Sequence, residues 1–396
     1  MVSMKGLPQF KDLTSTVDER SLRNLVEQEH KVGGGEVQAW WDDFTKKRGH
    51  KDMPNMLTPP TGNLKTNKNA IHPNPEINRV REYSLSLPEN TTSGLFDACD
   101  GCSTKECRLL CNGKSGSYRY QNAENAKQTR GAAFHDNPTY AAAKMVLELQ
   151  SAVNHHAFRG EHVGFRGNLW QDHNWTADKG IAPVLIGDFE APPKNWRGPK
   201  EGESVPAVRH SNYTKETMNR LLVAHETGID THGYKTYHVA YSTHGNTPAG
   251  RIDQGLELGH TFAQPVWHEP EVDQFVFEDK TGKRSKSGPA FSGDTYDWRA
   301  GDKSVQPSMA DGSGAFALLE NKIVPNLAEF VGQATPRSFV KPQDPDAPVG
   351  GRLGIPSKYA SQETKERLGE ILGKSKRGPS MPVRRNHMSE QFGTEE

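Results

Sequence analysis

Two consecutive stretches decide how the chain is read: Pro138-Thr139-Tyr140-Ala141-Ala142-Ala143-Lys144-Met145-Val146-Leu147-Glu148-Leu149-Gln150-Ser151-Ala152-Val153, and then His162-Val163-Gly164-Phe165-Arg166-Gly167-Asn168. Ala141, Met145, Leu149 and Ala152 recur at steps of three and four, which lays one apolar stripe along a helix opened by Pro138. The second stretch is a short apolar run bounded by Gly, as a buried strand is. Similar runs stand at Pro183–Phe189, Thr236–Ser242, Ala263–Trp267, Phe275–Phe277 and Ala315–Leu319, with helices expected at Lys215–Glu226 and Glu320–Val331. Helix and strand alternating over residues 86–335 predict an α/β (or α+β) fold: one mixed domain, barrel-like in one version of that architecture.

Outside this segment the composition changes. Residues 1–85 are rich in Lys, Asn, Pro and Gly, with one helix expected near Ser21–Glu29 and an aromatic group at Trp40, Trp41 and Phe44. They read as a polar N-terminal arm, partly disordered, with Gly33-Gly34-Gly35 as a flexible link. Residues 336–396 carry Pro, Ser and a basic group (Lys374, Lys376, Arg377, Arg384, Arg385), and read as a solvated, partly disordered tail. The 396 residues hold 49 Lys+Arg against 49 Asp+Glu, which argues against a basic nucleic-acid coat or an acidic tail protein. No eighteen apolar residues run together, and Met1-Val2-Ser3-Met4-Lys5 has no apolar secretory core, so a cytoplasmic protein without a membrane span is expected.

All four cysteines fall in Cys99-Asp100-Gly101-Cys102-Ser103-Thr104-Lys105-Glu106-Cys107-Arg108-Leu109-Leu110-Cys111, a C-x2-C-x4-C-x3-C run. A disulfide framework would spread its cysteines to close long loops, so this clustering points to shared chemistry at one place. Ser103 and Glu106 form a capping box, which starts a helix and sets Cys107 and Cys111 one turn apart on one face. Gly101 permits the bend that turns Cys99 and Cys102 towards them. Zinc ligand pairs are usually separated by a dozen or more residues, whereas so compact a set suits an iron–sulfur cluster; zinc stays open as the alternative. The three-cysteine C-x3-C-x2-C order of the radical S-adenosylmethionine enzymes is absent from the sequence.

Familiar motifs fail on spacing. Gly113-Lys114-Ser115 and Gly373-Lys374-Ser375 lack the first Gly of a phosphate loop, and His225-Glu226 and His268-Glu269 lack the second His of a zinc helix. Two polar strings stand out instead. Arg166-Gly167-Asn168-Leu169-Trp170-Gln171-Asp172-His173-Asn174-Trp175 follows an apolar strand, and Gly293-Asp294-Thr295-Tyr296-Asp297-Trp298-Arg299 sets two carboxylates and an Arg among aromatics. Strand ends are where α/β folds gather their sites.

The order of these motifs resembles the actinobacteriophage "gene product 88" family. The likeness covers roughly residues 93–323: Cys107 and Cys111 before Gly116; Thr129-Arg130 ahead of the helix after Asn137-Pro138; then R-x-N-x-x-x-D-x-x-W (Arg166, Asn168, Asp172, Trp175). Tyr213-Thr214-Lys215, a Tyr237-His238 strand ending in Ser242, and Gly293, Asp294, Asp297 and Arg299 complete it. Gln171 and Asn212 stand where the family pattern has Ser and Asp. The resemblance implies a phage protein acting in the host cytoplasm, without naming a reaction.

Together these readings predict an iron–sulfur protein, with zinc as the other metal, held by Cys99, Cys102, Cys107 and Cys111. Asp172, Lys215, Asp294 and Asp297 are the candidate catalytic groups, and Arg166, Asn168, Tyr213 and Arg299 the candidate binding groups for an anionic small molecule. Two other readings follow from the same residues: a zinc-stabilised protein that binds nucleic acid or host proteins through its basic tail, and a virion or assembly protein whose arms wrap a neighbour.

Overall fold

The computed structural model describes residues 6–33, 35–49, 55–62, 68–99, 120–169, 171–173, 175, 180–187, 197, 208–215, 237–243, 247–266, 273–279, 281–320 and 349–350. A two-residue strand β1 (Leu57–Thr58) runs antiparallel to β2 (Val80–Leu85). From β2 onward, β3 (His162–Arg166), β4 (Val208–Thr214), β5 (Tyr237–Ser242) and β6 (Thr261–Val266) lie side by side in chain order, all parallel. With β7 (Gln274–Glu278), β8 (Arg284–Ser292) and β9 (Ala315–Glu320), the order continues β6-β9-β8-β7, parallel through β8 and antiparallel at β7, and Val349–Gly350 pairs alongside β7. The mixed α/β expectation holds. Among the described residues the ladder has two ends and does not close into a barrel.

Parallel strands need crossovers, and the described helices supply those from β2 to β3 and from β5 to β6. Helices α1 (Phe10–Ser15), α2 (Glu19–Val32) and α3 (Gly35–Lys47) precede the sheet; α4 (Gln121–Asp136) and α5 (Pro138–Ala157) join β2 to β3; α6 (Ala249–Glu257) joins β5 to β6. The α5 stripe behaves as its spacing predicts: Ala141, Met145, Leu149 and Ala152 are buried, Pro138 opens the helix, and the Asn137 side chain accepts from Tyr140 N–H. Together with α2 and α3, α5 packs on Leu85, Val163, Phe165 and Val208. Farther along the same face, Ala249, Ile252 and Leu256 of α6 pack on Tyr241, Phe262, Phe275 and Phe316.

Residues 1–85 depart from the expected arm. Phe10, Val17, Leu22, Val26, Val37, Trp41 and Phe44 are buried in the same core as α5. The polar composition misled because only one stripe of each helix is apolar, which suffices when the stripe meets a core. Asp18 caps α2, accepting from the N–H groups of Arg20 and Ser21, and Gly33 ends it at φ 76°, so Gly33 is a left-handed helix cap and Gly35 already opens α3. Pro183–Phe189 was expected as a strand; Pro183–Gly187 is instead a single π-helical turn. The helices expected at Lys215–Glu226 and Glu320–Val331, and the tail 336–396 save Val349–Gly350, lie outside the described residues. Among the described residues no helix is long and apolar enough to cross a membrane.

Candidate functional site

Partners in a parallel ladder point to the same side of the sheet, so the register sorts every strand residue by face. Opposite the helices, β2 contributes Val80, Glu82 and Ser84; β3 contributes His162, Gly164 and Arg166; and β4 contributes Arg209, Ser211 and Tyr213. The helix face of this sheet is mostly apolar, with His210 and Asn212 as buried exceptions on β4, whereas this second face is mostly polar and still buried: Glu82 is 1 %, Ser84 0 % and Ser211 2 % exposed. The cover is the segment from Gly293 to Val305. Its Trp298 lies on Gly164, where a Cβ would stand 2.8 Å from the indole ring and 2.9 Å from Val80. Only glycine lets the cover approach so closely.

The cover brings together residues far apart in sequence. Arg166, at the carboxyl end of β3, pairs with Asp297, lies 3.8 Å from Glu82, donates to the Asn168 carbonyl at 3.3 Å, and stacks 4.5 Å over the Tyr213 ring. The Asp297 amide donates to Asn69 Oδ1 at 2.9 Å, which fastens the cover to the segment before β2. Arg299 is fully buried. It stacks over Tyr296 at 4.4 Å and Phe291 at 5.6 Å, donates to the Tyr296 carbonyl, and meets Asp302 at 3.6 Å. The Tyr296 hydroxyl donates to Asp302 Oδ1 at 2.7 Å and accepts from Gln306 at 2.8 Å.

Charge in this interior is tuned by burial and by neighbours. Burial pushes the Tyr213 phenol above its ordinary range, against the pull of Arg299 and Arg166, so it is a neutral donor at any working pH. Burial also raises Asp302, to about 6, although Arg299 and the Tyr296 hydroxyl favour its charge. For Arg299 burial works against the cation, but the carboxylates of Asp302 and Asp297 hold the guanidinium protonated.

The other predicted residues have a different setting. The Asn168 side chain accepts from Trp175 Nε1 at 2.8 Å and from the His173 amide, and donates to the His173 and Tyr213 carbonyls; its own amide donates to Asn212. Asp172 accepts from the Thr214 hydroxyl at 2.8 Å and the Lys215 amide at 2.7 Å, and burial raises its pKa. These contacts tie the 167–175 loop to the end of β4, so Asn168 and Asp172 knit strand ends together. The R-x-N-x-x-x-D-x-x-W string therefore divides: Arg166 turns to the polar face, while Trp175 joins the core under the helices. Asp294 is half-buried at the start of the cover, and its carbonyl accepts from Lys68. Thus Arg166, Tyr213, Asp297 and Arg299 form one cluster, and Asp172 and Lys215 another.

Of the cysteines, Cys102, Cys107 and Cys111 lie outside the described residues. Cys99 is buried, and its Sγ accepts from the Asn90 amide at 3.4 Å. Its setting is informative: the Ala98 carbonyl accepts from the Asp172 amide at 3.1 Å, and Asp97 pairs with Gln9 in an isolated bridge. Cys99, the first of the run, therefore lies beside the loop that follows β3. Among the described residues no group of three His, Cys, Asp or Glu is placed to hold a metal.

Sequence reasoning missed Glu82, Ser84, Ser211, Tyr296 and Asp302. The alternation Val80-Glu82-Ser84 against Tyr83-Leu85 was the available signal, but it lies in the segment read as a polar arm. Compared with protein-family models, curated proteins and solved structures, the chain finds no significant match.

Proposed function

We propose that this chain is an enzyme in which Cys99, Cys102, Cys107 and Cys111 hold an iron–sulfur cluster at the carboxyl end of the parallel strands, next to a polar face that receives a small anionic substrate. The supporting observation is positional. Cys99 follows β2 in the chain, and its neighbour Ala98 is tied to Asp172, at the strand ends where Arg166 and Tyr213 also stand. Parallel α/β sheets place their sites at these ends, because the strand termini and following loops converge there.

A bound cluster would supply electron transfer, and the chain's own residues would do the rest. Arg166 is oriented by Asp297 and by the Tyr213 ring, so its position is set before any ligand arrives. Trp298 on Gly164 closes the polar face from the cover side and excludes water. The likeness to gene product 88 proteins supports a phage protein acting in the host cytoplasm.

The test compares the wild type, purified without oxygen, with Cys107→Ser and Cys111→Ser. A brown wild type with charge-transfer absorption that both variants lose is the expected result. A colourless wild type binding one zinc would make the cysteines structural and favour the binding-protein reading.

A further inference from the structure

Resting on the reading of an anionic substrate, we propose that its recognised group is a singly charged carboxylate, received by Arg299, Tyr213 and Ser211 on the covered face of the sheet. Arg166, the more obvious cation, is already engaged by Asp297, Glu82, the Asn168 carbonyl and the Tyr213 ring. Arg299 is different. It has no exposed surface, yet its Nε and Nη1 have no hydrogen-bond acceptor among the described residues. The Tyr213 hydroxyl, the Ser211 hydroxyl and the Trp298 indole N–H are also buried and, among the described residues, without a hydrogen-bond partner. The turn Arg299–Gly301 packs against β4, the strand that carries Ser211 and Tyr213.

Buried donors without acceptors are rare in folded proteins because each forfeits its hydration. Several on one face therefore describe the complement of a ligand rich in acceptors. Donors dominate here, although Asp302 Oδ2 is an acceptor likewise without a hydrogen bond. A carboxylate offers about four lone-pair sites and one negative charge. Charge also limits the choice. Three carboxylates, Asp297, Glu82 and Asp302, already face the two guanidinium groups of Arg166 and Arg299, so a singly charged group adds less repulsion here than a dianionic phosphate.

The test titrates the full-length protein with ¹³C-labelled acetate, followed by NMR, with inorganic phosphate as competitor. Saturable acetate binding that weakens about tenfold or more in both Tyr213→Phe and Ser211→Ala is expected, the loss typical of a hydrogen bond to a charged group. Ser211→Ala should also melt no lower than the wild type, because its hydroxyl has no partner to lose. Acetate binding unchanged in both variants, absence of saturable binding, or phosphate displacing acetate at lower concentration would each overturn the proposal. The same titration on protein shown to contain no iron separates the two claims: acetate binding lost in the variants would uphold the carboxylate site while the cluster reading failed.

Discussion

Replacing Phe10 by Ala asks whether the N-terminal segment belongs to the core. The ring has no exposed surface and lies 5.4 Å from Phe134, 5.8 Å from Phe96 and 4.8 Å from His173, centre to centre. Removing a buried Phe side chain costs about 3–5 kcal/mol, and the aromatic contacts place this one in the middle or upper part of that range, about 4 kcal/mol. With a urea m-value of about 3 kcal/mol/M, the unfolding midpoint should fall by about 1 M with the slope unchanged. The neighbourhood matters as well. Phe10 N–H donates to the Asp97 carbonyl and the Asp97 amide to Pro8, so the same segment steadies the chain entering Cys99. Urea unfolding followed by far-UV circular dichroism measures the change. A loss below about 1 kcal/mol would refute the packing argument and return residues 6–47 to the status of an arm.

Gly164→Ala drives a methyl into Trp298 and Val80, and should cost about 1–3 kcal/mol and shift tryptophan emission; an unchanged melting temperature and spectrum would disprove the contact. Glu148 is buried, accepts from the Met56 and Leu57 amides, and is raised by burial from 4.5 to about 7. Because the folded pKa lies above the unfolded one, the cost of its charge is absent below pH 4.5, grows as pH rises, and is complete above about 7. Glu148→Gln should therefore gain stability relative to the wild type between pH 5 and pH 7.5, and parallel pH profiles in urea unfolding would contradict this. Asp297→Asn leaves Arg166 with only Glu82, 3.8 Å away, as its countercharge and should destabilise by about 2 kcal/mol, read by the same assay; a neutral effect would show that Arg166 does not depend on that pair. Cys107→Ser and Cys111→Ser should each lose bound metal and lower the melting temperature, since metal affinity contributes directly to folding.

Periodicity revealed the elements that obey simple patterning. The α5 stripe, β3, β5, β6, β7 and β9 could be read because apolar residues face one packed layer. It failed where polar residues are buried. β2 and β4 carry Glu82, Ser84, Arg209, Ser211 and Tyr213 on the covered face, so their sequences look like exposed loops. The same blindness hid half of the candidate site. Arg166, Asp297, Tyr213 and Arg299 were visible as charged or polar groups at strand ends, but Tyr296 and Asp302 acquire meaning only when the cover folds over the sheet. Asp172 and Asn168 show the opposite error: they read as chemical groups, yet their side chains are occupied in joining the 167–175 loop to β4. The N-terminal helices were obscured by their polar faces.

The most direct test of the central claim is the iron, acid-labile sulfide and zinc content of the full-length protein purified without oxygen. The account predicts iron and sulfide in matched amounts, at cluster stoichiometry per chain, with little zinc. One zinc per chain without sulfide, or no metal at all, would contradict it.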